Sequence, residues 1–145
     1  MPAGYGRTLH SRGHEGGERM STTASDRRAL ALALLERLEP GAPGRVAKNL
    51  DDFHPEATEI LLGFSFTDVV ARDGMPLKTR EMLTIAMLAA MGTAPGQLEF
   101  HMRAALNTGV TREEIVEVVL QVAVYAGIPA AMNAITAAKS AFTPR

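Results

Sequence analysis

The chain has 145 residues, 46% of them hydrophobic but only 5% aromatic, with a formal net charge of −1 and no cysteine. That length fits one domain with a core of Ala, Leu, Val and Met. The near-neutral balance offers no basic surface for nucleic acid, and the missing thiols exclude disulfides, cysteine nucleophiles and thiolate metal sites.

Residues 1–24 are rich in Gly, Ser, Thr and Arg without apolar periodicity. They read as a disordered tail ahead of one helical domain over residues 25–145. His10 and His14 fall in this tail and read as solvated loop rather than metal ligands. Gly16-Gly17-Glu18-Arg19 would be encoded by a purine-rich, ribosome-binding-site-like stretch, so Met20 is a candidate start. No apolar block near the N-terminus resembles a signal peptide, and no apolar run reaches the ~18 residues that span a bilayer. The expectation is a cytoplasmic protein without membrane or nucleic-acid partners.

Ser25 and Asp26 look like the N-cap and first turn of an amphipathic helix over 27–38. Pro40-Gly41-Ala42-Pro43-Gly44 stops it. Residues 45–50 make one or two further turns. Pro55 suits the first position of a helix over 56–63. Phe64, Phe66, Val69 and Val70 form another apolar face, broken by Asp73-Gly74-Met75-Pro76.

Almost all of the apolar mass falls in 78–142, as four helix-sized blocks. Residues 77–91 are apolar on nearly every face after Glu81. Such a helix is buried all round, and in so small a chain the simplest cover is another subunit. Gly92 ends it. Thr93 caps the next helix, with Pro95 just inside, and 97–108 continue to Gly109. Thr111 and Glu114 form a capping box that opens a helix reaching Tyr125. Gly127 closes it, and Pro129 starts the last helix, through 138. The β-branched run 116–124 resembles a strand, but its capping box, length and glycine terminator favour helix. No segment alternates with period two for long, so the fold class is all-α.

His101 is the one histidine embedded in a helical, mostly apolar pattern, with Gln97, Ala104, Ala105 and Thr108 on its face. It is either a packed histidine held by a neighbour or a functional group with room beside it. Glu81 is either a carboxylate complementing a helix N-terminus or pairing with Arg80 or Lys78, or a partly buried general acid or base. Tyr125, Asn133 and Gln121 are polar groups in apolar helices that need hydrogen bonds if buried. Met75, Met82, Met87, Met91, Met102 and Met132 read as core filler. No nucleotide-binding, zinc-protease or nucleophile-elbow motif occurs, and no tight His/Asp/Glu cluster marks a metal. An enzyme built this way works without a cofactor, by proton transfer and charge stabilisation.

KTREMLTIAMLAAMG, LEFHMRAALNTGVTREEI and EVVLQVAVYAGIPAAMNAI, with HPEATEILLGFSFTDVVARDGMPLKTRE upstream, resemble the carboxymuconolactone decarboxylase family. The resemblance implies an all-α, alkylhydroperoxidase D-like helical bundle built as intertwined trimers or hexamers. In the peroxidase branch a CxxCxxxH motif and an upstream Glu form a redox relay. Here the cysteine positions fall on Ala94 and Gln97, the histidine on His101, and the relay Glu on Glu81 within a one-residue gap. Without cysteine, thiol peroxidase chemistry is excluded.

The decarboxylase branch implies a cofactor-free lyase acting on a small carboxylated lactone, γ-carboxymuconolactone in the β-ketoadipate route. His101 would be proton donor or oxyanion partner and Glu81 its relay. Gln97 and Tyr125 would contact substrate, and Arg80 or Arg103 would hold a retained carboxylate. Two departures stand out: Gln97 replaces a Glu often found one turn before the histidine, and Leu62-Gly63-Phe64-Ser65-Phe66 replaces a YAWG-like segment. They keep open a recruited isomerase, dehydratase or cyclase of another metabolite, and a non-catalytic small-molecule-binding or scaffold protein.

Overall fold

The computed structural model describes residues 23–144. Among them all regular structure is helical: α1 Ala24–Leu38, α2 Ala42–Phe53, a π-helix Glu59–Val70, α3 Leu77–Met91, α4 Pro95–Asn107, α5 Arg112–Ala126 and α6 Ile128–Ala141. His10, His14 and Met20 lie outside the described residues. So does the expected tail, apart from Thr23 and Ala24, which cap and open α1.

Local chemistry explains the boundaries. Thr23, not Ser25, is the N-cap of α1: its Oγ1 accepts from the Asp26 amide at 3.1 Å, and the Asp26 carboxylate accepts from the Thr23 amide at 3.1 Å. That reciprocal pair needs a three-residue offset, which Ser25 lacks toward Asp26. α1 ends at Glu39 and α2 begins at Ala42, with Gly41 making the corner at φ 80°, a conformation that favours glycine. Pro43 sits in the first turn of α2, where its missing N–H is not needed. The Pro/Gly cluster is therefore a corner between two helices, and α2 runs for 12 residues instead of one or two turns. Ala94, not Thr93, holds the N-cap position of α4. The Thr111–Glu114 capping box opens α5.

The stretch that reads as two apolar pieces is one continuous π-helix through Gly63. At its end the Ala71 amide donates to the Phe66 carbonyl at 2.8 Å, an i→i−5 step. Gly63 does not end a helix. It is buried beneath the Arg27–Glu59 ion pair, where an added Cβ would lie 3.4 Å from the Glu59 carboxylate.

Asp51 ties α1, α2 and the entry to the π-helix together. It accepts from Arg28 at 2.6 Å and from the Thr58 amide at 3.3 Å. The Arg28 guanidinium first, then Thr58, pulls its carboxyl from 3.8 down to about 2. A carboxyl with a depressed folded pKa adds stability above its unfolded pKa, and that stability is lost as pH falls through the folded one. The melting temperature should therefore fall between about pH 4 and about pH 2. Asp51→Asn should lower it at neutral pH and flatten that acid limb, which thermal melts over this range will read.

The apolar mass is divided in two, not gathered in the last four helices. α3 to α6 enclose one core, with Ile85, Met102 and Ile115 fully buried. α1, α2 and the π-helix close a second around Leu35, Leu38 and Phe66. Each large side chain so buried contributes about 1.5–3 kcal/mol. α4 belongs to both cores: Met102 and Ala105 face the first, Phe100 and Ala104 the second.

The methionines are not all filler. Met87, Met91 and Met132 are about 60% exposed. Leu83, Met87 and Met91, spaced by four, leave an apolar stripe of α3 that the single chain does not cover. Among the described residues, no helix is long and apolar enough to cross a membrane.

Candidate active site

The junction of the two cores, on α4, carries the titratable pair. Glu81 lies past the first turn of α3 and is 1% exposed. Neither basic neighbour on its own helix reaches it. Lys78 pairs with Glu114 at 2.8 Å, and Arg80 donates to the Arg72 carbonyl at 3.1 Å. Its carboxylate instead meets His101 Nδ1 at 2.8 Å. A buried carboxylate needs such a partner, because leaving it unpaired is costly.

The imidazole is fixed on its other sides too. The Phe100 ring stands edge-on to it, with centroids 5.0 Å apart and planes at 84°. Ala104 and Ala105 are fully buried on the same helix. With Nδ1 engaged by Glu81, Nε2 is the ring nitrogen left for a ligand. The side chain is 16% exposed and lines a cavity of about 670 Å³.

α2, the π-helix and α4 supply the cavity walls, with Leu35 added from α1. Val46, Leu62, Phe66 and Phe100 make much of the lining apolar. The polar groups are Arg45 and Asn49 from α2, Ser65 from the π-helix, and Gln97 and His101 from α4. The Ser65 hydroxyl donates back to the Leu61 carbonyl at 2.7 Å, so its proton is already committed. Gln97 sits one turn before His101 with its amide in the lining. Among the described residues, no three His, Asp or Glu side chains converge to hold a metal ion.

The other sequence-derived candidates lie elsewhere. Arg80 bonds to the Arg72 carbonyl and does not line the cavity. Arg103 pairs with Glu99 one turn back and approaches Glu39 at 3.9 Å, also outside the lining. Tyr125, at the end of α5, is 86% exposed and is not a lining residue. Conversely, Arg45, Asn49 and Phe100 line the cavity and escaped the sequence reading. Arg45 and Asn49 are four apart on a helix whose length was underestimated. That spacing on one face was the available signal.

Residues 55–140, more than half of the chain, match the profile of the carboxymuconolactone decarboxylase family. The chain belongs to this family. A 4-carboxymuconolactone decarboxylase from Acinetobacter baylyi is 38% identical over 98 residues, covering 68% of this chain and 72% of the relative. A nitrosuccinic acid decarboxylase from Metarhizium robertsii is 34% identical over 87 residues, 60% of each chain. An uncharacterised 15.0 kDa protein from Paracoccus denitrificans is 35% identical over 83 residues, covering 57% of this chain and 62% of the relative. The family segment contains both Glu81 and His101. It begins after α2, so Arg45 and Asn49 fall outside it.

Proposed function

We propose that this family member is a cofactor-free decarboxylase of a small, activated carboxylic acid, with γ-carboxymuconolactone as the first candidate substrate. The observation that carries the reading is His101, held through Nδ1 by the buried Glu81 and lining a cavity large enough for a small metabolite. A sealed histidine would favour a scaffold; a histidine in a cavity wall favours chemistry.

In this reading the C–C bond to the departing carboxylate breaks and carbon dioxide leaves. The electron pair passes into a conjugated acceptor, the lactone carbonyl of carboxymuconolactone, as a dienolate. The nitro group of nitrosuccinic acid would serve the same purpose. Gln97 donates to the developing oxyanion. His101 delivers a proton from Nε2 to carbon, and Glu81 holds the ring's orientation and tautomer. With Glu81 ionised and the ring protonated, the pair is neutral overall and directs one N–H at the substrate. The exposed apolar stripe of α3 and the family resemblance support an assembly of several copies, a trimer or hexamer.

The test is to supply the purified protein with γ-carboxymuconolactone, made in place from its carboxymuconate precursor, and in parallel with nitrosuccinate, and to follow carbon dioxide release. Release from either supports a decarboxylase and names its substrate. Loss of lactone without carbon dioxide would replace it with an isomerase or hydrolase on the same dyad.

A further inference from the structure

Arg45 is the one guanidinium in the cavity wall, and that wall carries no carboxylate among the described residues. Glu81, the nearest acid in the argument, sits behind the imidazole rather than in the lining. The two walls differ in exposure: the His101 side chain is 16% exposed and that of Arg45 is 63% exposed. The cavity therefore runs from a wet, cationic mouth on α2 to a nearly dry dyad on α4, with apolar side chains between.

Arg45 is not locked in place. Its Nη2 stands 3.7 Å from Glu39, beyond hydrogen-bond reach, and Glu39 also faces Arg103 at 3.9 Å. A ligand carboxylate can form two parallel N–H···O bonds to a guanidinium at about 2.7–2.9 Å, a closer and better-directed contact. Asn49, one helical turn further along α2, adds an amide donor to the same wall.

We infer that Arg45, assisted by Asn49, anchors a second carboxylate that the reaction retains, so that the site takes dicarboxylic acids and presents the other carboxyl to His101. This rests on the reading of the cavity as the active site. It moves the anchoring role from Arg80 and Arg103, which face other partners, to a residue outside the family-matched segment. The anchor grips a part of the substrate that does not change during the reaction. It therefore binds ground state and transition state alike and acts on KM and not on kcat.

The experiment is calorimetric titration of the full chain with the series malonate to adipate, each against the monoacid of equal length, such as succinate against butyrate. Wild type, Arg45→Gln, Arg45→Lys and His101→Ala are compared, with thermal melts to verify folding. At least one dicarboxylate should bind about tenfold more tightly than its monoacid. Arg45→Gln should erase that preference, Arg45→Lys should restore part of it, and His101→Ala should keep it. No binding anywhere in the series, equal binding of diacid and monoacid, or an unchanged preference in Arg45→Gln overturns the proposal. Because the titration needs no turnover, a protein that shows the preference yet releases no carbon dioxide keeps its anchor and loses only the decarboxylase reading.

Discussion

Replacing His101 by alanine is expected to lower carbon dioxide release by about 10²- to 10⁴-fold, the range typical of a lost general acid or base. The loss should appear in kcat, because proton delivery is needed only once the C–C bond is breaking. Glu81→Gln should cost less, about 10- to 100-fold, as a partner that orients another group does. The two substitutions act on one hydrogen-bonded unit, so the double variant should be no worse than His101→Ala alone. Stability must be followed in parallel. His101→Ala leaves the Glu81 carboxylate buried without the imidazole, which should destabilise the fold by roughly 1–3 kcal/mol. Assays held well below each variant's melting temperature separate this from lost chemistry. Full turnover in folded His101→Ala would remove the dyad from the mechanism.

The second large effect concerns assembly. Leu83, Met87 and Met91 stand 45%, 58% and 61% exposed along one face of α3, with Leu120 and Val124 of α5 and Ile128 of α6 also open. Contiguous apolar surface of this kind marks an interface, since each covered side chain contributes about 1.5–3 kcal/mol. We expect light scattering to report a mass of several chains for wild type and a melting temperature that rises with protein concentration. Met87→Lys should shift the mass toward the single chain and remove the concentration dependence. A charge placed at a covered apolar site must be desolvated without a partner, and every copy carries it. A wild-type protein that is monomeric at all concentrations would show that this stripe is simply tolerated in water.

What was legible in the chain follows the reach of each signal. Thr111 with Glu114, Gly92 and Gly127 mark helix ends through contacts within one turn, and the structure has α3 at 77–91 and α5 opening after Thr111. His101 stood out as a lone imidazole in an apolar helix. Signals that looked local but had distant causes misled. Gly63 resembles a helix end and is a packing site under Arg27, whose side chain arrives from α1. Pro40 to Gly44 resembles a loop and is a corner, because Gly41 turns the chain within two residues.

The amino-acid sequence by itself determined the helical class, the absence of thiol chemistry, the family and the candidacy of His101 and Glu81. Each depends on residue identity or on spacing within a few positions, where backbone hydrogen bonds and side-chain sterics act. Only the tertiary structure decided that Glu81 meets His101 and not Lys78 or Arg80. It also put Arg45 in the cavity and left Arg80, Arg103 and Tyr125 outside the lining. The physical reason is that a cavity is bounded by whichever side chains several packed helices turn toward the same space. That depends on how α1, α2 and the π-helix close over α4, which no single segment encodes.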